Sequence, residues 1–197
     1  MNRLPILLLT IAFTITSTAQ QPTGPPSAQA LQQLKRDPAE YSAITKALAQ
    51  NDIYLKIDGL RQYLRQYPRS AVKEQALEEL LMAYWSTVKP PHSGPATQKV
   101  LFQMMLTANS LLYVDPDNLR ALVLMVDEKE TVAKETKSEE QAAQLHSDAI
   151  DLAKRGLRVL AHAQKPTNMS DAAYAQYISK ATATFNAALS DASIQAK

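Results

Sequence analysis

Residues 111–121 read LLYVDPDNLRA, which contains the end of one helix, a short turn and the start of the next. Pro116 has no backbone N–H and disfavours helical geometry at Asp115, so the first helix must end there. Asp117 or Asn118 then supplies a side-chain oxygen of the kind that caps a helix N-terminus. The stretch therefore predicts two helices joined by a tight turn.

A second junction of the same kind lies upstream, where residues 63–71 read YLRQYPRSA. Apolar residues at helical spacing and capping signals, such as SEEQ at residues 138–141, predict the remaining helices. The predicted helices are residues 37–50, 53–67, 71–88, 96–114, 119–134, 138–160 and 170–191. A repeated pattern of two helices joined by a proline turn is typical of an all-α array of hairpins. Such arrays bind other proteins more often than they catalyse reactions.

These junctions resemble the boundaries between tetratricopeptide (TPR) repeats, and the resemblance covers roughly residues 37–160. In residues 76–84, ALEELLMAY, the side chains of Leu77, Leu80 and Tyr84 fall on the large packing positions of a TPR first helix. Leu81 falls where the family prefers a small residue, so looser or shifted packing is expected in that hairpin. The resemblance implies a right-handed α-solenoid of antiparallel helical hairpins, with about seven helices.

The same resemblance implies binding of a partner protein or peptide in a groove lined by the first helix of each repeat. The family's groove positions correspond here to Gln75, Glu78, Met82, Trp85, Arg120, Val123 and Asp127. Tryptophan is frequent at binding hot spots but also common in cores, so Trp85 fits either a groove or a core position. The alternative function is a structural or oligomerising component of a cell-envelope assembly, with no peptide groove.

Motifs for catalysis, cofactor binding or metal binding are absent from the sequence. Its four glycines form neither a phosphate-binding loop nor a dinucleotide fingerprint, and there is no G-x-S-x-G elbow. His92, His146 and His162 lack the ligand spacing of a zinc site and are expected at the surface. We therefore expect no enzymatic activity, no cofactor and no metal. The 21 basic and 19 acidic residues nearly cancel, which argues against a nucleic-acid partner.

The N-terminus has the pattern of a secretory signal. Arg3 precedes an apolar segment, residues 4–15, and small residues follow at 17–19, so residues 1–19 are predicted to be a signal peptide cleaved after Ala19. Residues 20–36 are predicted to be a flexible, proline-rich leader, and residues 37–192 the TPR-like domain. The chain has no cysteine, which suits an exported periplasmic or secreted bacterial protein. The alternative is a membrane anchor formed by an uncleaved signal; after cleavage, no membrane insertion is expected.

Two helices lead to specific expectations about burial. The helix at residues 96–114 is expected to be among the most buried, because it carries a wide apolar face. The last helix carries an apolar stripe formed by Tyr174, Ile178, Phe185 and Leu189. Part of that stripe is expected to remain exposed and to mediate homo-oligomer formation.

Overall fold

The computed structural model describes residues 27–88, 95–165 and 169–195. These residues form an all-α fold without any strand, as the sequence predicts, and they contain eight helices. The helices are α1 (Ala28–Arg36), α2 (Pro38–Leu48), α3 (Ile53–Gln66), α4 (Lys73–Thr87), α5 (Pro95–Val114), α6 (Leu119–Glu135), α7 (Glu139–Leu160) and α8 (Asp171–Gln195).

Side-chain caps explain why most of these helices begin where they do. The Asp37 carboxylate accepts hydrogen bonds from the backbone N–H groups of Ala39 and Glu40, both at 3.0 Å. Of the two candidate caps at the 111–121 junction, Asn118 is the one that caps α6, since its Oδ1 accepts from the N–H of Ala121 at 3.1 Å. These bonds satisfy N–H groups that have no partner within the helix, so each polar residue before an apolar run marks a helix start.

The eighth helix is α1, which lies inside the segment predicted to be a flexible leader. Ser27 caps it by accepting from the N–H of Ala30 at 3.1 Å, and its Leu34 is buried in the core. The sequence predicts no more than a loose helical turn at residues 28–35, because a single leucine buried by tertiary contacts is too weak a periodic signal for a full helix. The described residues therefore contain one helix more than the seven predicted.

Each helix packs mainly against the helices before and after it in the chain, and α6 also packs against α8. The buried side chains form two clusters. The first extends from α1 to α5 with parts of α6, and the second joins α6, α7 and α8. Leu112 and Leu152 contact both clusters, so the two cores are continuous through α5 and α7. Leu81, for which the sequence resemblance implied looser or shifted packing, is almost fully buried in the first cluster.

Tyr63 fixes the turn at Pro68. Its phenol group is 2.9 Å from Glu40 Oε1, to which it donates, and 2.6 Å from Ser70 Oγ. Ser70 Oγ in turn accepts from the N–H of Val72 at 3.0 Å. This network connects α2, α3 and the start of α4, and burial is the main reason that the pKa of Tyr63 is raised. The proline turn is therefore held by buried hydrogen bonds as well as by backbone sterics.

The expectation that α5 would be among the most buried helices holds for only one of its faces. Met104, Ala108 and Leu111 are essentially inaccessible to solvent. On the opposite face, Phe102, Leu106 and Tyr113 are 57%, 46% and 88% exposed. The apolar face on which the expectation rested is buried or half-buried throughout; it consists of Val100, Leu101, Met104, Met105, Ala108, Leu111 and Leu112. The apolar residues of the second face did not enter that expectation.

The exposed patch expected on the last helix is not found among the described side chains of α8. Phe185 is fully buried and Tyr177 nearly so, in the cluster that α8 forms with α6 and α7. Tyr174 donates to the backbone carbonyl of Ala163 at 2.9 Å. Ile178 and Leu189 are half-buried, so none of the four stripe residues is exposed and the helix is a core element along residues 171–190.

Several sequence predictions lie outside the described residues. They are the signal peptide at residues 1–19, most of the leader up to residue 26, and the loop at residues 89–94 that includes His92. Within the described part of the chain, no helix combines the length and apolar character that crossing a membrane requires.

Candidate protein-binding face

The seven predicted groove residues lie on α4 and α6 and differ widely in burial. Glu78 is buried, whereas Trp85 is 46% exposed and Asp127 is also exposed. The other four are half-buried: Gln75, Met82, Arg120 and Val123. The set therefore divides into a buried polar part and a more accessible rim.

The buried part is centred on Glu78. Asn118 Nδ2 donates a hydrogen bond to Glu78 Oε1, which connects the middle of α4 to the N-terminus of α6. Asn118 thus caps α6 through its oxygen and binds the Glu78 carboxylate through its nitrogen. A buried carboxylate needs such donors, because removing a charge from water without them is costly. The DPDN turn therefore positions a polar contact as well as reversing the chain.

Arg120 lies beside this carboxylate. Burial lowers the pKa of its guanidinium, and the negative charges of Glu78 and Glu79 oppose that effect. The residue as a whole is half-buried, yet its Nη2 is shielded from solvent and has no hydrogen-bond partner among the described residues. Arginine remains charged even when desolvated, so Nη2 keeps N–H donors that no described acceptor satisfies.

Tyr177 brings α8 into the same cluster. Burial is the main reason that its pKa is raised, and the nearby positive charge of Arg120 acts in the opposite direction. Its hydroxyl is buried and lacks a hydrogen-bond partner in the described part of the chain, as does Oε1 of Gln75. Glu78, Asn118, Arg120 and Tyr177 therefore form one mixed polar cluster contributed by α4, α6 and α8. We call it the α4–α6–α8 polar cluster.

Carboxylates surround the α4 side of this cluster. Burial raises the pKa of Glu74, and the charges of Asp115 and Glu78 raise it further. The cluster thus combines acidic acceptors with a guanidinium and a phenol that retain donors. Such a combination can hydrogen-bond polar groups of a bound chain, and most buried polar atoms in proteins do have partners.

The TPR resemblance placed Glu78 and Arg120 in the same predicted groove, whereas Asn118 and Tyr177 were not predicted as site residues. Asn118 was considered only as a candidate helix cap, and Tyr177 was not among the candidate site residues. Tyrosine combines an apolar ring with a polar tip, and only the packing of α8 shows that this polar tip lies in the cluster.

A second polar group joins α6 and α7, and it corrects the expectation that the histidines lie at the surface. His146 Nδ1 is 3.1 Å from Glu130 Oε1, and both side chains are largely shielded. Lys129 Nζ lies 2.7 Å from Asp148 Oδ2, and that hydrogen bond holds the pKa of Asp148 below its usual value. The partner of His146 is on the neighbouring helix, where a search at helical spacing could not find it. His162 is exposed.

Among the residues that the structure describes, no three histidine, aspartate or glutamate side chains converge in a way that could hold a metal ion. No protein family, curated protein or solved structure matches this chain.

Proposed function

We propose that this chain is an exported protein-interaction module that binds a partner protein or peptide through α4, α6 and α8. In this proposal the helices form a right-handed, TPR-like solenoid, and the alternate helices α4, α6 and α8 line its inner face. The signal-like N-terminus supports a location in the periplasm or outside the cell. The absence of catalytic motifs favours binding over catalysis.

The observation that carries the proposal is the α4–α6–α8 polar cluster. Three helices that are not adjacent in sequence contribute to it, and it retains hydrogen-bonding atoms without partners among the described residues, on Gln75, Arg120 and Tyr177. Buried polar atoms left in this way cost free energy, which a bound chain could offset by pairing with them once side-chain movement at the rim admits it.

The accessible rim would form the first contact with the partner. Trp85 offers a large, partly exposed aromatic surface, Met82 an adaptable thioether, and Asp127 an exposed charge. A partner that covers Trp85 would exclude water from this region, which strengthens polar contacts at Arg120 and Tyr177. Affinity would then come from the aromatic contact, and orientation from the polar cluster.

Photo-crosslinking in the cell envelope tests this proposal. A benzophenone amino acid at position 85 should form adducts with a partner, whereas the same amino acid at position 54 should not. Tyr54 is a matched control, because it is an exposed aromatic residue, 66% accessible, at the start of α3. Equal adduct patterns at the two positions, or none at position 85, would contradict the assignment of the face.

A second experiment separates the polar cluster from the rim. Arg120→Lys retains a positive charge but removes the planar guanidinium, so it should weaken capture of the crosslinked partner about tenfold or more. Thermal melts of the variant should confirm that the fold is retained. Unchanged capture would show that the polar cluster is only structural.

A further inference from the structure

The proposed function leaves the exposed face of α5 unexplained, and four of the seven exposed large hydrophobic residues among the described side chains lie on this helix: Phe102, Leu106, Tyr113 and Val114. Phe102, Leu106, Asn109 and Tyr113 are all exposed and recur at intervals of three or four residues, so they lie along one side of the helix. We call this row the α5 stripe. Lys99 is the only charged residue between Pro95 and Val114. A long helix face of this kind, almost without charge, is uncommon on an isolated monomer.

We propose that the α5 stripe is a self-association surface, and that a second copy of this chain docks on it with the two α5 helices antiparallel. This interface is separate from the α4–α6–α8 polar cluster, and it goes beyond the proposed binding function.

The spacing of the stripe is complementary to itself. If a two-fold axis passes between residues 107 and 108, Phe102 lies opposite Tyr113 of the second copy and Leu106 lies opposite Asn109. A two-fold interface requires the same patch on both chains, and the spacing of these four residues meets that requirement. The aromatic pair at each end would supply most of the buried apolar area.

Charge decides between the antiparallel and the parallel arrangement. Lys99 lies at the N-terminal end of the stripe, and the acidic residues Asp115 and Asp117 follow its C-terminal end. Antiparallel docking brings Lys99 of each copy to the acidic end of the other and aligns the helix dipoles favourably. Parallel docking would place like charges together. Asp117 also pairs with Arg155 at 3.0 Å, and Asp115 receives a hydrogen bond from the N–H of Asp117, so this acidic end is held in place.

Sedimentation velocity of the purified protein, from about 5 to 500 µM, tests the self-association, since an interface of one helix face is small and should be weak. The wild type should shift from monomer toward dimer across this range. Phe102→Glu should weaken the dimer at least tenfold with helicity unchanged. Tyr54→Glu is the matched control and should dimerise like the wild type, because it also replaces an exposed aromatic by a carboxylate. A wild type that remains monomeric throughout, or equal effects of the two variants, would overturn the proposal.

Cysteine crosslinking tests the direction of docking, and the chain has no native cysteine to interfere. In the antiparallel register, the two copies of residue 109 are offset by only about 5 Å along the helix axis, whereas the copies of residue 98 are about 30 Å apart. A short bismaleimide should therefore crosslink Asn109→Cys but not Gln98→Cys. Crosslinking of both would indicate parallel docking, and crosslinking of neither would exclude the register, so each result would overturn the proposal.

These results are independent of the partner-binding face. With the benzophenone amino acid at position 85, Arg120→Lys should lose partner adducts yet leave the dimer intact, and Phe102→Glu should lose the dimer yet retain the adducts. The failure of one proposal therefore leaves the other standing.

Discussion

Gly156 lies so close to the ring of Phe185 that even one added carbon atom would clash with it. A Cβ built there would lie within 2.6 Å of three ring atoms of Phe185, which is fully buried. The ring of Phe185 therefore lies directly on the backbone of α7. This contact explains why the middle of a helix contains glycine, which costs about 1 kcal/mol relative to alanine.

We expect Gly156→Ala to destabilise the protein by about 1–3 kcal/mol, because the added methyl group forces Phe185 out of its position. Urea unfolding followed by circular dichroism would measure the loss. In a Phe185→Leu background the smaller side chain leaves room, so the same substitution should cost much less. Additive costs in this double-mutant cycle would show that the two residues do not interact.

Glu128 gives a prediction about pH. Burial, together with the charges of Asp127 and Glu135, raises the pKa of its carboxyl above the usual value. The native carboxyl therefore holds its proton at a higher pH than the unfolded one. Its unfavourable effect is absent below the unfolded pKa and grows as the pH rises through the native pKa.

Glu128→Gln removes this ionisation, so it should stabilise the protein at pH 7 by about 0.5 kcal/mol, the size of other partly solvated charge effects. At about pH 3.5 the carboxyl is protonated in both states and the substitution should have little effect. Thermal melts at both pH values would measure the difference. Asp151→Asn, at an exposed position on α7, controls for the change in net charge. An equal effect of Glu128→Gln at both pH values would rule out the proposed cause.

At the scale of elements, α5 shows how one helix serves two environments. Leu111 points into the core, and Tyr113, two residues later, is 88% exposed. Successive residues of a helix are about 100° apart, so two residues separated by one other lie about 200° apart, on opposite faces. The apolar residues of α5 therefore lie on two different faces, one in the core and one exposed to solvent.

We expect Leu111→Ala to cost about 2–5 kcal/mol, because it leaves a cavity in a fully buried site. Tyr113→Ala should change the stability by less than about 0.5 kcal/mol in dilute solution. Leu112 is partly buried between the two clusters, so the stability loss caused by Leu112→Ala should lie between the losses for the other two substitutions. Urea unfolding at low micromolar concentration would test the order. A large loss for Tyr113→Ala in the monomer would mean that this side chain is covered.

At the scale of the whole molecule, α6 is the most connected helix and α1 the least. Helix α6 packs against α5, α7 and α8, whereas α1 packs mainly against α2. Local opening is easiest where few contacts must be broken. The strength of packing should therefore vary along the chain even though the helices form one continuous core.

Hydrogen exchange should reflect this gradient. Backbone amides of α1 should exchange first, and those in the middle of α6 should be the slowest, at or near the rate set by global unfolding. Mass spectrometry of peptides from a time course would measure both. Protection of α1 equal to that of α6 would show that the N-terminal helix is held more tightly than its contacts indicate.

Signals close together in the sequence predicted the element boundaries. Proline at residues 38, 68 and 116 and the caps at Asp37, Asn118 and Ser138 place the helix ends within a few residues of those observed. Caps and proline turns act through the backbone within one helical turn, so their effect can be deduced without knowing the fold. This is why the all-α architecture was predictable.

Tertiary packing decided which residues of different helices contact each other. Asn118 meets Glu78 across 40 positions of sequence, and His146 meets Glu130 from the neighbouring helix. The burial of Leu34 and the exposed row on α5 likewise depend on which helix faces are covered. Contacts of this kind depend on the packing of whole helices, which no local pattern encodes. From its sequence alone, the chain therefore determined where its helices begin and end, and only the tertiary structure decided which polar groups came together and which apolar face remained exposed.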